Sequence, residues 1–474
     1  MPCHRTRDSG KHVYAAGIDI ALVGDHVLVP CIDGRERPYV NLDSAASTNA
    51  LPAVARAVEA FLPWYSSVHR GAGYKSRFAT TAYEEARASA LSFAGRVAGG
   101  TDIAIIVRNT TEAINHLAYR LRLDPHDVIA TTVVEHHANL LPWARVCERR
   151  FVPCSLDGTF SVEDVVVALD ANPRPRLLAI TGASNVTGWL PPIDDIVAAA
   201  HERGVPVFVD GAQLAPHRAL PADADYVAWS GHKMYAPFGS GMLVGPRATF
   251  TEGDPFLAGG GAVDLVDLDE VAWTDPPERE EAGSPNVLGA VALRVAIDAL
   301  TGYGWDAITA HDDALAQQLR RGLAAVPGLR LLGPGLDVDT LPIATFVIDG
   351  LSHALVAARL SAEYGIGVRH GCFCAHPYLM RLLDLSDEEI ASYRDDVLRG
   401  DRRSVPGAIR ASAGLSTTVT DIDGLLRAVT EIASGAPAPV EYTQDPNTGD
   451  YWPEGDAPGW TATDRTLGAS CARG

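Results

Sequence analysis

Beyond about residue 100 the chain alternates short unbroken apolar runs with longer amphipathic stretches. The short runs are Ile103–Val107, Val128–Thr132, Leu177–Ile180, Val205–Val209, Tyr226–Trp229 and Met242–Val244, and each predicts a strand. They are rich in Val and Ile and show no polar alternation, which suits a parallel sheet covered on both faces. Amphipathic stretches between them, such as Thr111–Arg122 and Ile193–Arg203, predict helices, so the fold class is α/β. After about Gly289 the pattern changes. An Ala/Leu-rich helical region leads to a strand (Ile343–Ile348), a helix (Ser352–Tyr364) and a glycine-punctuated loop, which predicts a smaller α+β C-terminal domain. The expected division is an N-terminal extension (1–37), a large domain (38–290), a small domain (291–435) and an acidic, Pro/Gly-rich tail (436–474). That tail reads as irregular, with Trp452 and Trp460 as residues that could pin it to the body.

Composition narrows the partners. With 47% hydrophobic and 21% charged residues the chain is globular, and its 474 residues can bury a sizeable core without staples. A net charge of −20 repels phosphate backbones, so nucleic acid is not an expected partner. No apolar run approaches the roughly 20 residues of a membrane helix. The first eleven residues are polar and the next apolar stretch is broken by Asp19 and Asp25, unlike a secretory signal, so the expected location is the cytoplasm. Seven cysteines, odd in number and irregularly spaced, do not suggest a disulfide framework.

Candidate chemistry gathers at strand ends. Ser230-Gly231-His232-Lys233 follows the run Tyr226–Trp229, where desolvation would free the lysine amine as a nucleophile. Upstream, Asp210 stands at the exit of another run, in Val209-Asp210-Gly211-Ala212-Gln213. Together a lysine and an acid suit pyridoxal phosphate: the lysine binds the aldehyde and the acid pairs with the protonated ring nitrogen. Thr110 and Thr111 open a predicted helix, whose N–H groups suit a phosphate. His136, after Val128–Thr132, could stack on a planar ring, and its Glu-His-His spacing is not that of a zinc site. Asn185 lies in a turn after a further strand. Taken singly, each has a plainer reading as a surface lysine, a helix cap or a turn. Their concurrence at successive strand exits favours the cofactor.

In this order the segments closely resemble the fold-type I pyridoxal-phosphate enzymes of the class V aminotransferase group, and most of all its cysteine desulfurase and selenocysteine lyase branch. The matching stretches include Leu42-Asp43-Ser44-Ala45-Ala46, Val68-His69-Arg70-Gly71, Thr110-Thr111-Glu112-Ala113, Glu135-His136-His137-Ala138-Asn139 and Ser184-Asn185-Val186. They continue through Asp210-Gly211-Ala212-Gln213, Ser230-Gly231-His232-Lys233, Glu281-Ala282-Gly283-Ser284-Pro285-Asn286, Arg369-His370-Gly371-Cys372-Phe373-Cys374-Ala375 and Ile409-Arg410-Ala411-Ser412. The resemblance spans roughly residues 40–430. It implies a mainly parallel seven-stranded sheet in a large domain, a smaller C-terminal domain, and a homodimer. It assigns Lys233 to covalent attachment of pyridoxal 5'-phosphate, Asp210 to the ring nitrogen, Gln213 to the phenolic oxygen and His136 to stacking. The phosphate would take Thr110, Thr111, Ser230 and His232, with Ser284 reaching across from the second subunit. Asn185, Arg369 and Arg410 would hold the substrate carboxylate. The implied reaction turns L-cysteine into L-alanine and leaves a persulfide on Cys374 for a sulfur-acceptor protein or a small thiol, with selenocysteine lyase activity as a close variant. Rival readings are another class V reaction (transamination, epimerisation or C–S lysis) and a noncatalytic sulfur carrier.

Three departures from the branch pattern stand out. The common Arg-Thr-Gly-His-His-Cys becomes Arg369-His370-Gly371-Cys372-Phe373-Cys374, and the resulting Cys-x-Cys is similar to that of molybdenum-cofactor sulfurases. Cys372 could be a relay thiol or filler; a metal held by His370, Cys372, Cys374 and His376 is a further, disfavoured reading. Glu280 stands where a Phe is usual, which is expected to alter the subunit interface, and Asn109 replaces a Gly before the two threonines.

Overall fold

The computed structural model describes residues 20–454; Cys3, Cys471 and Trp460 lie outside them. Seven strands form the main sheet: β1 (Asp102–Val107), β2 (Val128–Thr132), β3 (Glu148–Val152), β4 (Leu177–Thr181), β5 (Val207–Asp210), β6 (Tyr226–Ser230) and β7 (Gly241–Pro246). Their order is β1-β7-β6-β5-β4-β2-β3. All pairings are parallel except those of β7, which runs antiparallel to both β1 and β6. Every residue of β2, β4, β5 and β6 is buried, as continuous apolar runs require when helices cover both faces. Five strands starting within two residues of the expected positions thus deliver their C-terminal ends to one edge, where open α/β sheets bind ligands.

The sequence reading did not single out β3. Glu148, Arg149 and Arg150 give it a charged face, and it lies at the sheet edge with only Val152 buried. Edge position tolerates such polarity.

The second sheet is antiparallel: β8 (Leu329–Leu332), β9 (Ile343–Ile348), β10 (Arg369–Gly371) and β11 (Ala408–Ser412), in the order β8-β9-β11-β10. Its own core contains Leu315, Leu319, Phe346, Leu360, Ile409 and Leu425, apart from the larger cluster under the main sheet. The segment before residue 38 docks here too, Ile32 N–H donating to the Ala362 carbonyl at 2.8 Å, and just after it Val40–Asn41 pairs with Ile366–Gly367.

The stretch read as an irregular tail is not irregular throughout. Residues 442–453 form a hairpin, β12 (Tyr442–Gln444) with β13 (Tyr451–Pro453). It turns through Asp445–Gly449, where Gly449 N–H donates to Asp445 O at 2.8 Å. Trp452 is half exposed on it. Among the described residues no single helix is long and apolar enough to cross a membrane.

Candidate active site

One cavity of about 710 Å³ opens along the strand ends, between the main sheet and the cysteine-bearing loop. Its wall includes every residue proposed from sequence except Ser284.

The floor comes from the main sheet. Asn109 caps the helix Thr110–Arg120, its Oδ1 accepting from Glu112 N–H at 3.0 Å. The Thr110 N–H donates to Ser230 Oγ at 2.8 Å, and the two hydroxyls lie 2.7 Å apart. This ties the helix N-terminus to the end of β6, one residue before the turn that carries His232 and Lys233. Strand β7 passes so close that a Cβ on Gly241 would lie 2.9 Å from Asn109 Cα and 2.6 Å from the Trp229 carbonyl, so only glycine fits. Thr111 remains exposed at the helix start, on the cavity wall.

Asp210 ends β5 with one carboxylate oxygen accepting from Ala212 N–H at 3.0 Å, and burial raises its pKa. Burial lowers that of Lys233 to about 8, Asp210 pulling the other way. His136 is pushed down to about 3 and His232 to about 4, again by desolvation, so both imidazoles are neutral at pH 7. The His136 ring is fixed by Nδ1, which accepts from Ala138 N–H at 3.0 Å. Gln213 Nε2 donates to the Ala45 carbonyl at 2.7 Å, and the same nitrogen carries a second hydrogen.

Opposite charges meet around Arg410. Its Nη1 donates to the Asn185 carbonyl at 2.7 Å and its Nη2 to Asp43 at 3.1 Å, while Arg369 pairs with the other Asp43 oxygen at 3.0 Å. The guanidinium also lies over the Phe373 ring, 5.1 Å from its centroid. Ser184 Oγ accepts from both Val186 and Thr187 N–H at 3.1 Å, which shapes the turn presenting Asn185; Asn185 Nδ2 then donates to the Phe373 carbonyl at 2.7 Å.

That last bond joins the floor to the cysteine loop. Phe373 and Cys374 both have positive φ (53° and 55°), a conformation costly for side chains of their size. Phe373 is buried and anchors the loop, leaving Cys374 exposed in the cavity. The Cys374 carbonyl accepts from His137 N–H at 2.7 Å. Cys372 is half-buried against the main core, and burial pushes its thiol up. The four donors of the metal reading do not gather: His376 stacks on His137 with rings 5.0 Å apart, and His370 pairs with Asp450 at 3.2 Å. Among the described residues the one grouping close enough for a metal is His69, Glu84 and Glu278, elsewhere.

Several residues escaped the sequence reading. Asp43 lay in a matching motif without an assigned role, yet it bridges Arg369 and Arg410. Glu135 is fully buried behind the floor, accepting from Thr132, Asn139 and the Thr181 N–H, and burial still pushes it up to about 8. Gln444, Thr448 and Gly449 of the hairpin line the cavity. Glu280, whose replacement of a Phe was expected to alter the subunit interface, turns inward within its own chain, 2.6 Å from His116 and 3.3 Å from Arg120. Ser284 is exposed and outside the cavity of its own chain.

Residues 40–425 match the family model "Aminotransferase class-V". The cysteine desulfurase of Dickeya dadantii is 36% identical over 413 residues, covering 84% of this chain and 93% of the relative. A probable cysteine desulfurase of Halobacterium salinarum is 33% identical over 83% of this chain and 91% of its own. Among solved structures, the cysteine desulfurase CsdA of Escherichia coli superposes with a TM-score of 0.70 at 32% identity, covering 84% of this chain and 96% of that one. The apo cysteine desulfurase of Thermococcus onnurineus gives a TM-score of 0.74 at 28% identity, covering 84% and 95%. With its seven-stranded floor, its lysine and aspartate at adjacent strand ends and these relatives, the chain belongs to the pyridoxal-phosphate-dependent class-V aminotransferase family.

Proposed function

We propose that the chain is a cysteine desulfurase that converts L-cysteine to L-alanine and retains the sulfur as a persulfide on Cys374 before an acceptor takes it. The observation that carries this reading is the presence of Lys233, Asp210, His136 and the exposed Cys374 on one cavity wall.

The donor set suits pyridoxal phosphate. Asp210 offers a buried carboxylate for the ring nitrogen, and neutral His136 can lie on the ring without opposing that nitrogen's charge. The first turn of the Thr110–Arg120 helix, with Thr110, Thr111, Ser230 and His232, presents donors to the phosphate; Gln213 Nε2 has a hydrogen for the phenolic oxygen. When bound, the cofactor supplies an electron sink for bonds broken at the amino acid.

The chain's own residues do the rest. Lys233 holds the cofactor covalently and, with its lowered pKa, carries a proton to and from the substrate α-carbon. Arg410 and Arg369 bind the carboxylate while Asn185 fixes its direction. The Cys374 thiolate attacks the substrate sulfur: an S–S bond forms, the C–S bond breaks, and its electron pair stays on the β-carbon, which takes a proton and becomes the alanine methyl. Cys372, half-buried beside it, is a relay thiol for later exchange. Two copies would assemble as a dimer, the partner subunit's Ser284 adding a donor to each phosphate site; its exposure outside its own cavity supports this.

Incubation of the loaded enzyme with L-cysteine should yield alanine and a mass increase of one sulfur on the peptide bearing Cys374. Amino-group transfer to a keto acid without a persulfide would refute the reading.

A further inference from the structure

The family match ends at residue 425, but the cavity wall does not. Hairpin β12–β13 contributes Gln444, Thr448 and Gly449, and it is fastened to the residues around the mouth. Arg402 N–H donates to the Pro446 carbonyl at 2.8 Å and its Nη1 to the Asn447 carbonyl at 3.3 Å. Gln444 Nε2 donates to the Arg403 carbonyl at 3.2 Å, and the Tyr442 hydroxyl to Glu363 at 3.1 Å. Asp450 reaches His370, in strand β10, which leads into the loop that carries both thiols. Gly449 has φ 81°, and a Cβ there would lie 2.6 Å from the Arg402 carbonyl, so the seat requires glycine.

The charge on the wall exceeds what the reaction with cysteine uses. Lys233, Arg369, Arg402, Arg403 and Arg410 line the cavity, where Asp210 is the one lining carboxylate and Asp43 stands behind Arg369 and Arg410. Lys233 goes to the cofactor, and Arg369 and Arg410 go to the substrate carboxylate. Arg403 is matched by Asp401 at 2.6 Å. Arg402 is exposed, and among the described residues its guanidinium meets a carbonyl but no carboxylate. It is a fixed cation at the mouth, without a counter-charge, on the same wall as Cys374. A cavity of about 710 Å³, narrowed by a hairpin, is of small-molecule size.

We infer that the hairpin and Arg402 form an acceptor site for a small thiol that carries a carboxylate, and that such a thiol discharges the Cys374 persulfide. This rests on the desulfurase reading. The acceptor thiolate attacks the outer persulfide sulfur; a new S–S bond forms as the bond to Cys374 Sγ breaks, and Cys374 leaves as a thiolate. The acceptor becomes a persulfide, with no external oxidant or reductant.

The test separates the two half-reactions in the loaded full-length enzyme. Single-turnover alanine formation from L-cysteine reads the first. Discharge of the preformed persulfide by 3-mercaptopropionate or by neutral 2-mercaptoethanol, compared at equal thiolate concentration, reads the second. Wild type should discharge faster with the anionic thiol. In Arg402→Gln, half-saturation for 3-mercaptopropionate should rise at least fivefold, with 2-mercaptoethanol and alanine formation unchanged within twofold. In Gly449→Ala, which unseats the turn from Arg402, the preference for the anionic thiol should fall likewise. Equal effects on both thiols, or none, overturn the proposal. So does a wild-type persulfide that neither thiol discharges, which points to a protein acceptor. Absence of alanine from wild type brings down the desulfurase reading itself, and the acceptor site with it.

Discussion

The floor and the cysteine loop of the cavity are built on opposite principles. On the floor, buried polar groups are held by short bonds from rigid strand ends: Thr110 to Ser230, Asp210 to Ala212, Glu135 to three donors. In the loop, two consecutive side-chain-bearing residues adopt positive φ and the thiol is exposed, while beside it the Nδ1 atoms of His370, in β10, and of His353 are buried without hydrogen-bond partners. A cofactor that stays put is served by saturated, fixed donors. Sulfur that must first meet the substrate and then an acceptor is served by a loop holding conformational strain of order 1 kcal/mol per such residue.

Substitutions that strike one region and spare the other test this contrast. Lys233→Ala should lose the visible absorbance of the covalently held cofactor and at least ~10³ of the activity, the scale of removing a nucleophile from a working constellation. Its unfolding midpoint should stay at or above that of wild type, since a desolvated amine is removed. Cys374→Ala should do the reverse: cofactor absorbance intact, alanine production from L-cysteine down by about 10² or more. Retention of full activity there, with loss in Cys372→Ala, would move the nucleophile by two residues. Glu280→Ala should cost about 3–5 kcal/mol in chemical denaturation, because His116 and Arg120, on the helix that begins at Thr110, are left buried without their carboxylate. An unchanged midpoint would contradict the inward role given to Glu280. The smallest effect is on loading of the apo enzyme with pyridoxal phosphate. Only the neutral amine reacts, and with a pKa of about 8 that form gains population as pH rises. The rate should therefore climb about tenfold between pH 7 and 9, following the neutral, deprotonated fraction. A rate still rising steeply above pH 10 would show that Lys233 keeps its ordinary pKa.

The same contrast governs what could be read from the sequence. Strand exits were legible because long apolar runs stop abruptly at a polar residue: Asp210 after Phe208 and Val209, Ser230 after Trp229. The start of β5 was placed two residues early because Val205 continues the apolar run, while the strand begins after Pro206. Strand β3 hid behind three charged residues that an edge strand tolerates. Hairpin β12–β13 buries little apolar surface and is held largely by single polar contacts to distant residues, such as Tyr442 to Glu363, which leave no periodic trace. The partners of Glu280 were hidden for a related reason: a lone carboxylate gives no sign of His116, 164 residues upstream, or of Arg120 one helical turn beyond it, and only the fold brings them together.

Asp43 spans the two guanidiniums of Arg369 and Arg410. Under the proposed assignment of the substrate carboxylate to Arg369 and Arg410, the pair would act as a preloaded ion exchanger: an arriving amino acid would displace one carboxylate with another and strip little water from the cations. Net binding then reflects a difference between two similar anions, so simple carboxylates such as acetate should compete poorly. Discrimination falls to the amino group and the sulfur, the two parts of cysteine that Asp43 does not imitate.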